Sequence, residues 1–146
     1  MWKSLLDYLR LAGDPVMLPS VVAQEIQRAD ANDPAARALG QTSWLVIVDP
    51  GPVPPVIQAW DLGPGESSVL AWALNHPGSE AILDDLQGRR CAAALGIPVR
   101  GTLGLVLRAK QRGIIPAARP VLEALRKAGM YLSDRVLNDA LAHIGE

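Results

Sequence analysis

Apolar and polar positions in this chain change period several times, and each change marks an element. Trp2, Leu5, Leu6, Leu9 and Leu11 recur at helical spacing and predict an amphipathic helix over residues 2–11. Gly13-Asp14-Pro15 breaks it. Val16-Met17-Leu18 reads as a short strand, and Pro19-Ser20 supplies turn and cap residues before a helix, VVAQEIQRA, whose Val21, Val22 and Ile26 face the core. Asn32-Asp33-Pro34 opens another helix to about Gly40, with Pro34 at its first position. Trp44-Leu45-Val46-Ile47-Val48 is continuously apolar and rich in β-branched residues, as a strand buried on both faces should be. Residues 49–55 are proline-rich and irregular, and a loop over 60–66 leads to a helix over 67–75.

Residues 80–104, EAILDDLQGRRCAAALGIPVRGTLG, organise the second half. The apolar run Ala81-Ile82-Leu83 stops on two adjacent carboxylates, Asp84 and Asp85. A helical segment, CAAALG, follows with Gly96 in the C-cap position, then a strand, Ile97-Pro98-Val99, then another helix. This is a βαβ unit, so its strands should be parallel and its crossover right-handed. Three helices complete the chain over residues 103–112, 116–128 and 134–144, the last with Ser133 as N-cap. Strands alternating with helices predict an α/β fold with a parallel sheet, in a single domain over residues 1–146. In such sheets the strand carboxyl ends line the ligand crevice, which places Asp84 and Asp85 where chemistry is usually done.

Composition narrows the chemistry. The chain is 49% hydrophobic, yet contains no run of about 18 apolar residues that would span a bilayer. Its start lacks a signal-peptide pattern, and the lone Cys91 excludes an internal disulfide framework, which suits a reducing cytoplasm. His76, His143 and Cys91 are too few for an ordinary zinc site, so any metal would be hard and oxygen-bound. The net charge of −1 conceals a division. Residues 1–85 hold four basic and eleven acidic side chains, whereas residues 86–130 hold nine basic ones against Glu123 alone. That asymmetry points to an anionic partner, or to solvated helix faces.

Glu25, Glu66, Asp84 and Asp85 each follow a predicted strand or loop at one expected rim of the sheet. Carboxylates gathered in one crevice repel one another unless a divalent cation sits between them. Mg²⁺ and Mn²⁺ prefer such oxygen ligands, and phosphodiester hydrolysis is the natural chemistry of a cation so held. The basic segment would then hold a nucleic-acid backbone. Plainer readings stand beside these: Glu66 as a first-turn stabiliser, Asp84-Asp85 as helix caps, Arg89 and Arg90 as phosphate contacts or as partners of those acids. Cys91 reads as a small buried side chain, and Trp60 as a core, interface or base-stacking residue.

LPSVVAQEI, LGPGESSVLAWAL, AILDDLQGRRCAAALGIPVRGTLGLVLRAKQRGII and RPVLEALRKAGMYLSDRVLNDAL together resemble a bacterial branch of the PIN-like nucleases related to VapC-type toxins of toxin–antitoxin pairs. The resemblance implies an α/β/α sandwich around a short parallel sheet and metal-dependent cleavage of RNA, with an antitoxin protein as a further partner. Carried over by motif, Glu25, Glu66 and one of Asp84 and Asp85 are the acidic ligands of Mg²⁺ or Mn²⁺, Asp61 is a weaker candidate, and Arg89 and Arg90 contact phosphate. One departure matters: family members begin with a strand ending in an Asp-Thr-Ser-like motif, which this chain lacks. Its Met1 falls within the helix that should follow, so the resemblance implies a PIN-like domain missing its first strand and one principal acid. The expected outcomes are a start placed downstream of the true one, a shortened and catalytically impaired remnant that binds protein or dimerises, or a gap filled by a strand from another chain. The family's second and fourth strands should then pair directly, or the chain should form an intimate homodimer.

Overall fold

The computed structural model describes residues 9–13, 15–29, 39 and 42–146. A 3₁₀ turn, Arg10–Ala12, precedes β1 (Val16–Pro19) and α1 (Ser20–Ala29). β2 (Leu45–Val48), α2 (Pro55–Gln58) and α3 (Pro64–Asn75) follow. The βαβ unit is β3 (Ala81–Ile82), α4 (Leu86–Ala94) and β4 (Val99–Arg100). The chain ends with α5 (Thr102–Gln111), α6 (Arg119–Lys127) and α7 (Asp134–His143). The helices expected over 2–11 and 34–40 lie largely outside the described residues.

Local chemistry sets these boundaries. Pro55 and Pro64 occupy first helical positions, where a missing N–H costs nothing, so α2 forms between the two irregular stretches expected over 49–55 and 60–66, and α3 starts three residues before Ser67. Asp85 caps α4 through Gly88 N–H, which starts that helix at Leu86, well ahead of the CAAALG stretch. Ser133 caps α7 as expected, accepting from Val136 N–H. Glu146 accepts from the N–H groups of Ala118 and Arg119 at 2.8 and 3.2 Å, a carboxylate on the N-terminus of α6.

β1 pairs with β2 and β3 with β4, both parallel, with registers Val16↔Leu45 and Ala81↔Val99. Among the described residues these are two separate two-stranded sheets, so β1 and β3 do not hydrogen-bond to each other. The direct pairing expected across the missing strand is therefore not what forms. Val16, Met17 and Leu18 of β1 and Ala81 and Ile82 of β3 instead line one apolar groove of about 480 Å³, together with Val69 and Trp72 of α3. β2 corrects the expectation of a strand covered on both faces. Leu45 is 6% exposed, but Val46 and Ile47 are 39% and 45% exposed.

Three apolar clusters hold the elements. One gathers Leu18, Ala23, Trp44 and Leu45; a second Ile57, Leu70, Ala71, Leu83, Cys91 and Ala92; a third Leu105, Val106, Leu122, Leu125, Leu137 and Leu141. α3 packs on α1 and β1 as well as on α2, α4 and β3, so it ties the first sheet to the second. No described helix is long and apolar enough to cross a membrane.

Candidate active site

Of the acidic residues singled out in the sequence, Glu25, Glu66 and Asp85 converge, and Asp61 lines the same cleft as the last two. Glu25 projects from α1, and its Oε1 accepts the N–H of Gly65 at 3.1 Å in the first turn of α3. A Cβ at position 65 would lie 2.5 Å from Glu25 Oε2, so a larger residue there would make the Glu25 carboxylate shift. Glu66 is the next residue of that turn. Asp85, at the start of α4, accepts the Gly88 N–H through Oδ2 at 2.9 Å. Glu66 Oε2 lies over the same glycine, 3.3 Å from where its Cβ would be.

This crowding perturbs Glu66. Loss of hydration pushes its carboxyl above the usual range, and the Asp85 charge, a hydrogen-bonding contact with Asp85 and the Glu25 charge push further in the same direction. Two carboxyl groups that share a hydrogen bond need a proton, or a cation in its place. Glu66 and Asp85 open onto a cleft of about 450 Å³ walled by Trp60, Asp61, Leu62, Gly63 and Gln87. Asp61 has φ 53°, the one positive value among the described non-glycine residues. That is the left-handed region, which Asp tolerates better than most residues.

Asp84 takes a different direction, as neighbouring residues leaving a strand should. Its Oδ1 accepts the Thr102 N–H at 2.7 Å and its Oδ2 the Thr102 hydroxyl at 2.6 Å, which ties β3 to the N-terminus of α5. The capping of the following helix thus holds for Asp85, which also faces Glu66, whereas Asp84 accepts instead at the first residue of α5. Asp84→Ala should lower unfolding free energy by about 1 kcal/mol, the usual worth of a helix N-terminal acceptor. Urea denaturation of the two proteins checks this, and an unchanged midpoint would refute it.

Arg89 and Arg90 are exposed and make no ion pair among the described residues. Arg89 Nη1 would lie 3.2 Å from a Cβ on Gly101, and Asp84 Oδ1 3.1 Å, so this guanidinium stands near Asp84, on the Gly101 side. Among the described residues Arg90 reaches Gln87, at 3.4 Å. His76 stacks on Trp72, ring centroids 3.6 Å apart, away from the acids. Cys91 is fully buried and burial raises its thiol pKa, which leaves it unreactive.

Sequence reasoning missed Glu80. It joins Arg100 at 3.3 Å and Arg108 at 2.9 Å. Burial pushes its carboxyl up, but Arg108 and Arg100 outweigh that and hold it below the usual range. Two cations of the basic segment are thereby spent within the fold. The only signal in the sequence was the charge division itself, because the pairing spans 20 to 28 residues.

Among the described residues no group of three or more His, Cys, Asp and Glu side chains stands ready to enclose a metal ion. The donor set still fits a hard cation of the Mg²⁺ kind, which commonly takes one or two carboxylates and keeps several waters. Glu66 and Asp85 are such a pair; burial first, and then the neighbouring charges of Asp85 and Glu25, raise the Glu66 pKa, and a cation between the carboxylates would offset the part due to charge. Asp84 fits less well, since Thr102 engages both of its oxygens.

No curated protein and no solved structure matches this chain. A family model of the PIN domain matches residues 3–146, nearly the whole sequence. With helices alternating with short parallel strands and acids gathered where strands β1 and β3 give way to helices, the chain belongs to the PIN domain family.

Proposed function

We propose that this PIN domain is a Mg²⁺- or Mn²⁺-dependent ribonuclease of the toxin type, cleaving RNA phosphodiester bonds at Glu66 and Asp85 with Glu25 beside them. The observation that supports this reading is the gathering of Glu66 and Asp85 on one cleft over Gly88, with Glu25 fixed on the first turn of the same helix as Glu66. A bound divalent cation supplies a water activated for in-line attack and charge neutralisation at phosphorus. Glu66 and Asp85 offer the oxygens that would hold it. Glu25 is fixed by Gly65 N–H, adds a third negative charge and keeps the first turn of α3 in place. Arg89, exposed and in no ion pair among the described residues, would attract phosphate oxygens, and Arg90 would be an outer contact. No protein nucleophile is needed.

The test is cleavage of a labelled single-stranded RNA in Mn²⁺ and in chelator, with Mn²⁺ binding followed by calorimetry. Cleavage in Mn²⁺ alone, with measurable binding heat, is the expected result. Absence of both at millimolar Mn²⁺ would remove the enzyme reading. A second reading, a catalytically impaired PIN domain that binds an antitoxin-like protein or dimerises, is favoured by one specific feature. The apolar groove separates two sheets whose strands leave Met17, Val46 and Ile47 substantially exposed. A dimer or protein complex without metal-dependent cleavage would support it.

A further inference from the structure

The acidic cleft is lined by more than Glu66 and Asp85. Trp60 is half-buried: it packs against the cluster containing Ile57 and Leu70 and contributes to the lining of the cleft. Asp61, next in sequence, lines the same cleft and is exposed, held in its left-handed conformation by a turn in which its N–H donates to Gln58 O at 3.0 Å. Gln87, on α4, brings an exposed amide to the same space. An aromatic ring anchored in a core, an acceptor-only carboxylate and an amide are the groups that recognise a nucleobase by stacking and by its hydrogen-bonding edge. The volume, about 450 Å³, is ample for one base.

We infer that the Trp60–Asp61–Gln87 side of the cleft is a base-binding subsite for single-stranded RNA. Trp60 stacks on a nucleobase beside the phosphate at the acids, and Asp61 accepts a hydrogen bond from its exocyclic amino group. A carboxylate repels the carbonyl oxygens that uracil presents, so a cytosine or adenine is bound in preference to uracil. This rests on the nuclease reading for the position of the phosphate, but it adds a specificity element that lies outside the acidic cluster.

Fluorescence anisotropy of labelled five-nucleotide RNAs of cytidine, adenosine and uridine, in Ca²⁺ in place of Mn²⁺, reads binding separately from cleavage. The expected result is preference for the cytidine and adenosine oligomers. Trp60→Leu, which keeps an apolar side chain against the core, should weaken binding about tenfold, and Trp60→Phe should restore most of it. Asp61→Gly accepts the positive φ while removing the acceptor, and should abolish the discrimination against uridine. Wild-type affinity in Trp60→Leu, or intact discrimination in Asp61→Gly, would overturn the inference even if Mn²⁺-dependent cleavage is found. Base-selective binding that depends on Trp60, without any cleavage in Mn²⁺, would uphold the subsite and remove the nuclease reading instead.

Discussion

Glu66→Gln should abolish Mn²⁺-dependent RNA cleavage and, at the same time, make the apo protein more stable at pH 7. On the proposed nuclease reading, the loss follows from removing an oxygen that would hold the cation, and its charge, from the cleft. A cation's charge stabilisation at phosphorus is worth several kcal/mol, so the rate should fall by about 10²-fold or more. The gain in stability follows from the raised pKa of Glu66, which burial, Asp85 and Glu25 cause in that order. A carboxyl whose folded pKa lies above its unfolded value contributes stability that is complete below about 4.5 and is lost as pH rises through the folded value. At pH 7 the wild type therefore carries a repulsion that glutamine lacks, and glutamine can still donate to Asp85. The advantage of the variant should shrink as pH falls toward 4. Thermal unfolding of both proteins at the two pH values reads the difference, and added Mn²⁺ should raise the wild-type midpoint only. A variant no more stable than wild type at pH 7 would mean that these carboxylates do not crowd one another.

That site was only partly legible in the sequence. Glu66 was readable because a Gly-Pro-Gly turn and a helix start fix its place in a first turn, and Glu25 because it follows a short strand by one helical turn or so. The aspartate pair was not separable by pattern. Asp84 and Asp85 leave β3 in different directions, and only the position of Thr102, 18 residues later, decides which of them is drawn to α5. Basic residues misled in a similar way. Arg100 and Arg108 count toward a cationic segment in the sequence, but Glu80 claims both in the fold.

The strands show the same boundary between local and non-local information. β1 and β2 fall within a residue of where their apolar runs put them. A run such as Leu45-Val46-Ile47-Val48 states a preference for cover on both faces, yet whether cover arrives depends on elements elsewhere in the chain. Here it does not arrive for Val46 and Ile47 among the described residues. β4 is displaced by two residues from the expected Ile97-Pro98-Val99, because Ala81 N–H bonds Pro98 O and Leu83 N–H bonds Arg100 O, a register that only β3 can impose. The break into two sheets is likewise a fact of packing, and the groove between β1 and β3 is where it is felt.

Because α3 spans that break, a cavity within it should cost more than stability. Leu70 is fully buried and lies one turn beyond Glu66 on the same helix, within the cluster that also holds Leu83 and Cys91. Leu122 on α6 is equally buried, but among the C-terminal helices. Each change to alanine should lower unfolding free energy by about 2–5 kcal/mol, a large part of the roughly 5–15 kcal/mol that a domain has. The two should diverge in function. Leu70→Ala loosens the helix that presents Glu66 and receives Glu25 through Gly65, so metal-dependent cleavage and Mn²⁺ affinity should fall even at temperatures where the variant remains folded. Leu122→Ala opens its cavity in a cluster that includes none of the acids, and should cleave at the wild-type rate per folded molecule. Equal losses of activity at equal folded fraction would mean that the acidic cleft depends on the whole molecule rather than on α3. Full activity in Leu70→Ala would show that the first turn of α3 is held by its bonds to α1 and α4 alone.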